Sequence, residues 1–434
     1  MKRYGHLVME IMGGCNAKCK YCTTGIANLR GTPHIHALSA ADFIKGLDYV
    51  LEHDFYDREN GQLELFSWGE PFLNKELNAI LRAVCERKLR YRLSTNASVL
   101  QLIDRDNLPF MDDLCISISG FTPESYSRIH GLNLNKVLEN IKAMAAWFRE
   151  CGYDNKMVMN FHVYQFNIGE VEAAARFCEE QGIRFIPHVA YLADYDLFSS
   201  YMLGEMDAGT LREASKELML GAVDELMKNY DPDYICKQYN ALIIDEHLRV
   251  LPCAFLTSEV HLGTIFDYDT VEALDAARRR FATCEQCHQS KVFYLVNQDK
   301  YFPYRSGKTA DVHVLPHCYI DAGEGYSETN TLYDRQGRVS QKDFDCRFDI
   351  PEGVRALRFD PVEGCGCLLK GLTCTDEQGR ALDVVPANGE RLDGGELLFR
   401  TADPQVLIPF DQAPKSVRVT AEMTLVYPET TAPQ

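Results

Sequence analysis

No stretch of about 18 consecutive apolar residues occurs in the chain, which speaks against an α-helical membrane span. No Lys/Arg-rich run occurs either, and the net charge is −18, so a nucleic-acid partner is not expected. A secretory leader is not expected: "MKRYGHLVMEIMGG" holds a short apolar run interrupted by His6 and Glu10, too short for the hydrophobic region of a signal peptide. The histidines form no HxxxH pair on a helix, and no carboxylate pair stands out by spacing as a glycosidase couple. Internal repeats and low-complexity linkers are absent. These absences leave a soluble, cytoplasmic protein whose 16 cysteines stay reduced. In that setting clustered cysteines bind metal or react more often than they form bridges.

With 434 residues the chain is long enough for two or three domains. In its first half, short apolar runs alternate with helical periodicity. Six strands are expected: 6–11, 62–67, 91–96, 113–119, 156–163 and 184–191. Between them lie helices with one apolar face, such as Phe43, Leu47 and Val50 after a Ser39 cap, or Leu77, Ile80, Leu81 and Val84. Another ends at Gly182. Strand–helix repetition implies an α/β fold with a parallel sheet, and six units fall short of the eight that close a TIM barrel. The expected architecture is a partial (β/α)6 TIM-like barrel over residues 1–228. A long helical stretch, 210–230, ends it, and a small cysteine-rich auxiliary domain with a hairpin at 241–253 follows over 229–295. From about Tyr301 the helical period disappears. Short strands alternate with turn signals such as "DRQGR" and "ANGERLDGG", the pattern of an antiparallel β-sandwich over 300–430 with a frayed "PETTAPQ" tail.

Cys15, Cys19 and Cys22 share the segment "GGCNAKCKYC". Three thiols are an odd number for disulfides and one short of a closed four-thiolate site. Cubane iron–sulfur clusters need a thiolate on each iron, normally four, so three ligands leave one iron open for chemistry. Gly13 and Gly14 let the backbone turn tightly over a bulky group. A zinc loop is the competing reading of the triplet alone.

The triplet, with the aromatic Tyr21 before its last cysteine, resembles the radical SAM family. "SWGEPFL" at 67–73 resembles that family's Gly-Gly-Glu-Pro segment, with Trp68 in place of the first glycine and Gly69, Glu70 and Pro71 retained. "LSTNAS" at 93–98 resembles the third-strand segment, with Thr95 and Asn96 near the cofactor. "SISGFTPESYSRIHG" at 117–131 resembles the fourth-strand segment, with Ser117 and Ser119 in reach of the ribose or carboxylate. The resemblance implies a [4Fe–4S] cluster on the three cysteines whose open iron chelates S-adenosyl-L-methionine. Reductive cleavage then releases methionine and a 5′-deoxyadenosyl radical that takes hydrogen from substrate. It also implies an electron donor such as flavodoxin or ferredoxin, and an ammonium of the methionine moiety held by Glu70 and its backbone. Relatives often carry Arg before the final glycine of the fourth segment; here the order is Ile129-His130-Gly131 with Arg128 nearby, so the partner of the methionine carboxylate is left open between them, or neither, with Arg128 entered among the cofactor-binding candidates. No residue is assigned as catalytic.

Cys236, Cys253, Cys284 and Cys287 form a second set that resembles the twitch domain, a relative of the SPASM domain. Four thiolates are enough to close an auxiliary [4Fe–4S] cluster, and zinc takes the same set. A closed cluster suggests an electron relay. Cys85, Cys115, Cys151 and Cys178 read as core, and Cys318, Cys346, Cys365, Cys367 and Cys374 as reduced structural thiols. His36 and His188 are candidates for the barrel mouth by position, with an ordinary role as the default. The C-terminal part resembles β-rich segments beside bacterial glycan-assembly proteins, and Tyr319, Tyr326 and Phe344 are candidates for stacking on sugars, or core. The resulting expectation is an oxygen-sensitive radical SAM enzyme acting on a carbohydrate or surface-glycan precursor. Peptide or protein side-chain modification is the alternative, and a zinc-stabilised carbohydrate-binding scaffold the non-enzymatic one.

Overall fold

The computed structural model describes residues 2–218, 227, 230–256, 260–296, 316–333, 344–362, 366–401 and 403–426. The expected helix beyond residue 218, the start of the last domain at 300, the "DRQGR" turn, Cys365 and the C-terminal tail lie outside the described residues.

The first half is built on strands β1 (His6–Met9), β2 (Met12–Gly13), β3 (His36–Ala37), β4 (Gln62–Glu64), β5 (Tyr91–Thr95), β6 (Met111–Ile118), β7 (Met157–Val163) and β8 (Arg184–Val189). All six expected strands are found, as β1 and β4 to β8, hydrogen-bonded in chain order and all parallel. The sheet is open. β9 (Ala241–Ile244) adds to its β1 edge in parallel, and β10 (Val250–Leu251) pairs antiparallel with β9. The expected hairpin therefore exists, but it extends the main sheet rather than forming one of its own.

The helices follow the apolar periodicity. They are α1 (Thr23–Leu29), α2 (Ala40–Glu52), α3 (Leu77–Glu86), α4 (Pro123–His130), α5 (Leu134–Glu150), α6 (Val171–Gln181), α7 (Tyr195–Leu203) and α8 (Ala208–Glu217). Ser39 caps α2 by accepting from the Asp42 amide, and Phe43, Leu47 and Val50 are buried. α6 ends at Gly182 in the left-handed region, φ 70°, which glycine adopts without a Cβ penalty.

The described residues within 317–426 form two five-stranded antiparallel sheets. Leu357, Phe359 and Ile408 of one sheet share a core with Phe348, Val417 and Val419 of the other. The segment Phe344–Asp349 alternates buried and exposed residues strictly, the signature of a strand with one covered face. Tyr319 and Phe344 are buried, Phe344 against Phe359, which is the core outcome for both; Tyr326 is half-buried. Among the described residues no helix is long and apolar enough to cross a membrane.

Candidate active site

The carboxyl ends of the six parallel strands open onto one cavity of about 510 Å³. Cys15, Cys19 and Cys22 line it, from the loop between β2 and α1. Their thiols repel one another's ionisation and are desolvated. Burial pushes Cys15 up to about 12 and raises Cys19 and Cys22 as well. Bound iron would reverse the balance and hold the three as thiolates. The donor set and its convergence on a single wall fit a three-thiolate cluster.

The three family-like segments surround that wall. Trp68 and Gly69 donate their amides to Glu10 Oε1 at 2.7 and 2.6 Å, and the Glu70 amide donates to the Gly14 carbonyl at 2.8 Å. A Cβ on Gly69 would stand 1.6 Å from the Met12 carbonyl oxygen, so only glycine fits there. Pro71 opens the short turn Pro71–Leu73 and is buried. Both oxygens of Glu70 already accept from the protein: Thr95 Oγ1 at 2.7 Å, the Asn96 amide at 2.6 Å and the Phe72 amide at 3.1 Å. Burial nonetheless raises Glu70 to about 7. Its side chain braces the end of β5. Asn96 reaches back to the cysteine loop, with Nδ2 3.4 Å from Cys15 Sγ and 3.0 Å from Asn16 Oδ1.

Ser117 Oγ lies 3.3 Å from Ser94 Oγ on the cavity wall. Ser119 is buried; its hydroxyl accepts from the His162 amide at 3.1 Å, and its own amide donates to His130 Nε2 at 3.0 Å. Tyr21 is pinned by its hydroxyl donating to Glu217 at 2.6 Å.

Arg128 does not line the cavity. Its side chain is 49% exposed, stacks 3.9 Å over Phe166 and pairs with Glu217 at 2.9 Å. His130, two residues on, enters the cavity instead and places Nδ1 3.2 Å from Cys19 Sγ. Because Nε2 accepts from the Ser119 amide, the ring proton is on Nδ1 and points at the sulfur. The sequence placed this residue beside Arg128 as an alternative for the methionine carboxylate, and it passed over Glu10, His162 and Asn160 as site residues.

Polar side chains contribute to the rest of the lining. His162 and His188 meet edge to face at 4.2 Å. Burial pushes His130 down to about 3, His162 to about 4 and His188 to about 2, so all three are neutral at physiological pH. Cys115, expected as plain core, is buried but faces the cavity, where its sulfur accepts from Asn160 Nδ2 at 2.8 Å. Arg92 bridges Glu64 at 2.9 Å and Asp113 at 3.0 Å. His188 reaches the cavity as its position suggested; His36 is not among the cavity's lining residues.

Cys236, Cys253, Cys284 and Cys287 converge on a second, small pocket. Burial raises Cys253 to about 12 and raises Cys284 and Cys287 too. The set fits a four-thiolate metal centre. Gln238 and Phe255 line both pockets and so form the partition between the two thiol sets.

Residues 9–178 match the family model described as the Radical SAM superfamily. No curated protein matches the chain in sequence. Among solved structures, SuiB of Streptococcus suis bound to the precursor peptide SuiA is 21% identical, with 70% of this chain and 76% of that chain covered and a TM-score of 0.44. Native anSMEcpe with bound AdoMet is 16% identical, covering 64% and 82%, with a TM-score of 0.40. BtrN in complex with AdoMet and 2-DOIA is 12% identical, covering 69% and 98%, with a TM-score of 0.39.

Proposed function

We propose that this chain, a radical SAM enzyme by its domain over residues 9–178, cleaves S-adenosyl-L-methionine and abstracts hydrogen from a polar, hydroxyl-rich substrate such as a glycan precursor. Cys15, Cys19 and Cys22 would hold the [4Fe–4S] cluster, which when bound and reduced supplies the electron that splits the sulfonium. Gly69, Glu70, Thr95, Asn96, Ser117 and Ser119 line the same cavity and would position the nucleotide, with Pro71 opening the turn behind them. Glu70 has its carboxylate occupied by protein donors, so its part is to hold the strand end, and the backbone around it is left to accept from the methionine ammonium. Arg128, paired with Glu217, steadies the cysteine loop through Tyr21 rather than meeting the methionine carboxylate.

One observation carries the substrate class. The same cavity that receives the three thiols is also lined by the buried histidines, Asn160, Ser94 and Ser117. Neutral donors and acceptors suit hydroxyl groups, and burial lets each hydrogen bond discriminate. Cys236, Cys253, Cys284 and Cys287 would hold the auxiliary cluster and take an electron from the substrate radical. A flavodoxin or ferredoxin would supply the first electron.

Anaerobic reconstitution tests the reading. About eight iron atoms per chain are expected for two cubanes, with 5′-deoxyadenosine released on addition of reductant and S-adenosylmethionine. Cys19→Ala should abolish that product. Deuterium transfer into 5′-deoxyadenosine from a labelled sugar nucleotide supports the substrate class; transfer only from a peptide overturns it. Protein that carries zinc in place of iron and forms no 5′-deoxyadenosine overturns the whole reaction.

A further inference from the structure

One set of metal-binding side chains lies apart from both cysteine groups. His34 and His36 lie at the entry to β3, the strand that pairs with β2 directly before the cysteine loop. Glu246 and His247 form the turn between β9 and β10. The two segments are far apart in sequence and meet here.

His34 Nε2 is 2.8 Å from Glu246 Oε1, and His247 Nε2 is 3.5 Å from the same oxygen. One ligand atom from each of the three lies within 4.8 Å of the others. In a tetrahedral zinc site with bonds near 2.0–2.1 Å, neighbouring ligand atoms stand about 3.4 Å apart, so the two measured separations bracket what a shared ion requires. The His36 ring is centred 4.1 Å from that of His247, within a small movement of the same point.

Burial supplies a second argument. Glu246 is 1% exposed, with two further buried carboxylates, Glu10 and Asp245, nearby. Asp245 is paired with Arg249 at 2.8 Å, whereas Glu246 Oε1 faces two imidazoles. A carboxylate removed from water calls for a cation, and a metal ion shared with the two imidazoles meets that need. The backbone is also shaped around this group: a Cβ on Gly13 would stand 2.1 Å from the Glu246 carboxyl carbon. The absence of a side chain at Gly13 is what admits Glu246.

We propose that His34, Glu246 and His247 bind a divalent cation of the zinc class, with the remaining position taken by water or His36. The ion would tie the turn of the β9–β10 hairpin, which leads to Cys253, to the strand pair that precedes Cys15. It is a clip between the two thiol sets, distinct from either. Two imidazoles and one carboxylate form a borderline donor set that favours zinc over the hard cations.

The test uses the full chain with both clusters loaded anaerobically, stripped of loosely held metal and titrated with Zn²⁺. One equivalent is expected to bind to the wild type, and the His34→Ala/His247→Ala variant is expected to lose at least tenfold in affinity with its iron content unchanged. Iron content reports that the fold is intact. Should the double variant fail to load iron, the single His34→Ala variant decides, since that side chain is 58% exposed and its loss leaves the core alone. Unchanged zinc affinity in the variant, or no stoichiometric zinc in the wild type, overturns the clip. Zinc binding without 5′-deoxyadenosine formation would count only against the proposed reaction, so the two failures are distinguishable.

Discussion

His130 shows what a single residue can do that its neighbours cannot. Residues two apart on a helix point about 200° apart, so α4 sends Arg128 outward to Glu217 and Phe166 and His130 inward to Cys19. The sequence offered both as candidates near the methionine carboxylate, and only the phase of the helix separates them. That phase depends on the Thr122 cap and on the packing of Tyr126 and Ile129, which are not readable from one segment alone. The Nδ1–H of His130 is a donor to a sulfur ligand, and donors to cluster thiolates favour the reduced state. Replacing it, as in His130→Leu, should lower the midpoint potential of the first cluster. A hydrogen bond worth roughly 1 kcal/mol corresponds to about 40 mV in a one-electron couple. A merely structural histidine would leave the potential where it is, and redox titration followed by electron paramagnetic resonance separates the two.

At the scale of elements, the six parallel strands were legible because short runs of apolar residues, continuous in β1 and alternating in β5, recur between helical repeats. The placement of β9 beside β1 was not, because a parallel pairing between distant segments leaves no local trace. β2 and β3 were missed for another reason: two residues each are too few for a period to show. Glu10 appeared in the sequence only as an interruption of an apolar run, yet it is the acceptor that latches the "SWGEP" loop to the end of β1. The cysteine loop and this loop are thus one unit held by main-chain contacts. Gly69 sits at their closest approach, with the Met12 carbonyl where a Cβ would go. Gly69→Ala therefore has to push the loops apart by an ångström or more. A displacement of that size at a reacting centre costs on the order of a hundredfold in rate. The expected result is a loss of about that factor in 5′-deoxyadenosine formation, with the far-ultraviolet circular dichroism of the wild type. Wild-type turnover in this variant would mean that the two loops do not need to touch.

For the whole molecule, a parallel α/β part followed by antiparallel sheets could be read from periodicity, while the relation between the parts could not. The two thiol sets were recognisable separately by spacing; that Gln238 and Phe255 face both pockets is a property of the folded chain. This shared wall gives the auxiliary centre a specific task. A cluster held by four thiolates would have no vacant position for substrate, so under the proposed function its contribution is to accept charge across the partition. Removing two ligands, as in Cys284→Ser/Cys287→Ser, should reduce iron from about eight to about four atoms per chain while the first cluster remains. Cleavage of S-adenosylmethionine should then continue, because its residues stand on the other side of Gln238 and Phe255. Oxidised product should fall at least tenfold relative to 5′-deoxyadenosine, since the substrate radical loses its electron acceptor. Quantifying both products in one anaerobic reaction decides the matter: a product ratio equal to that of the wild type would reduce the second set to a structural staple, and loss of both products together would place it in the first step instead of the last.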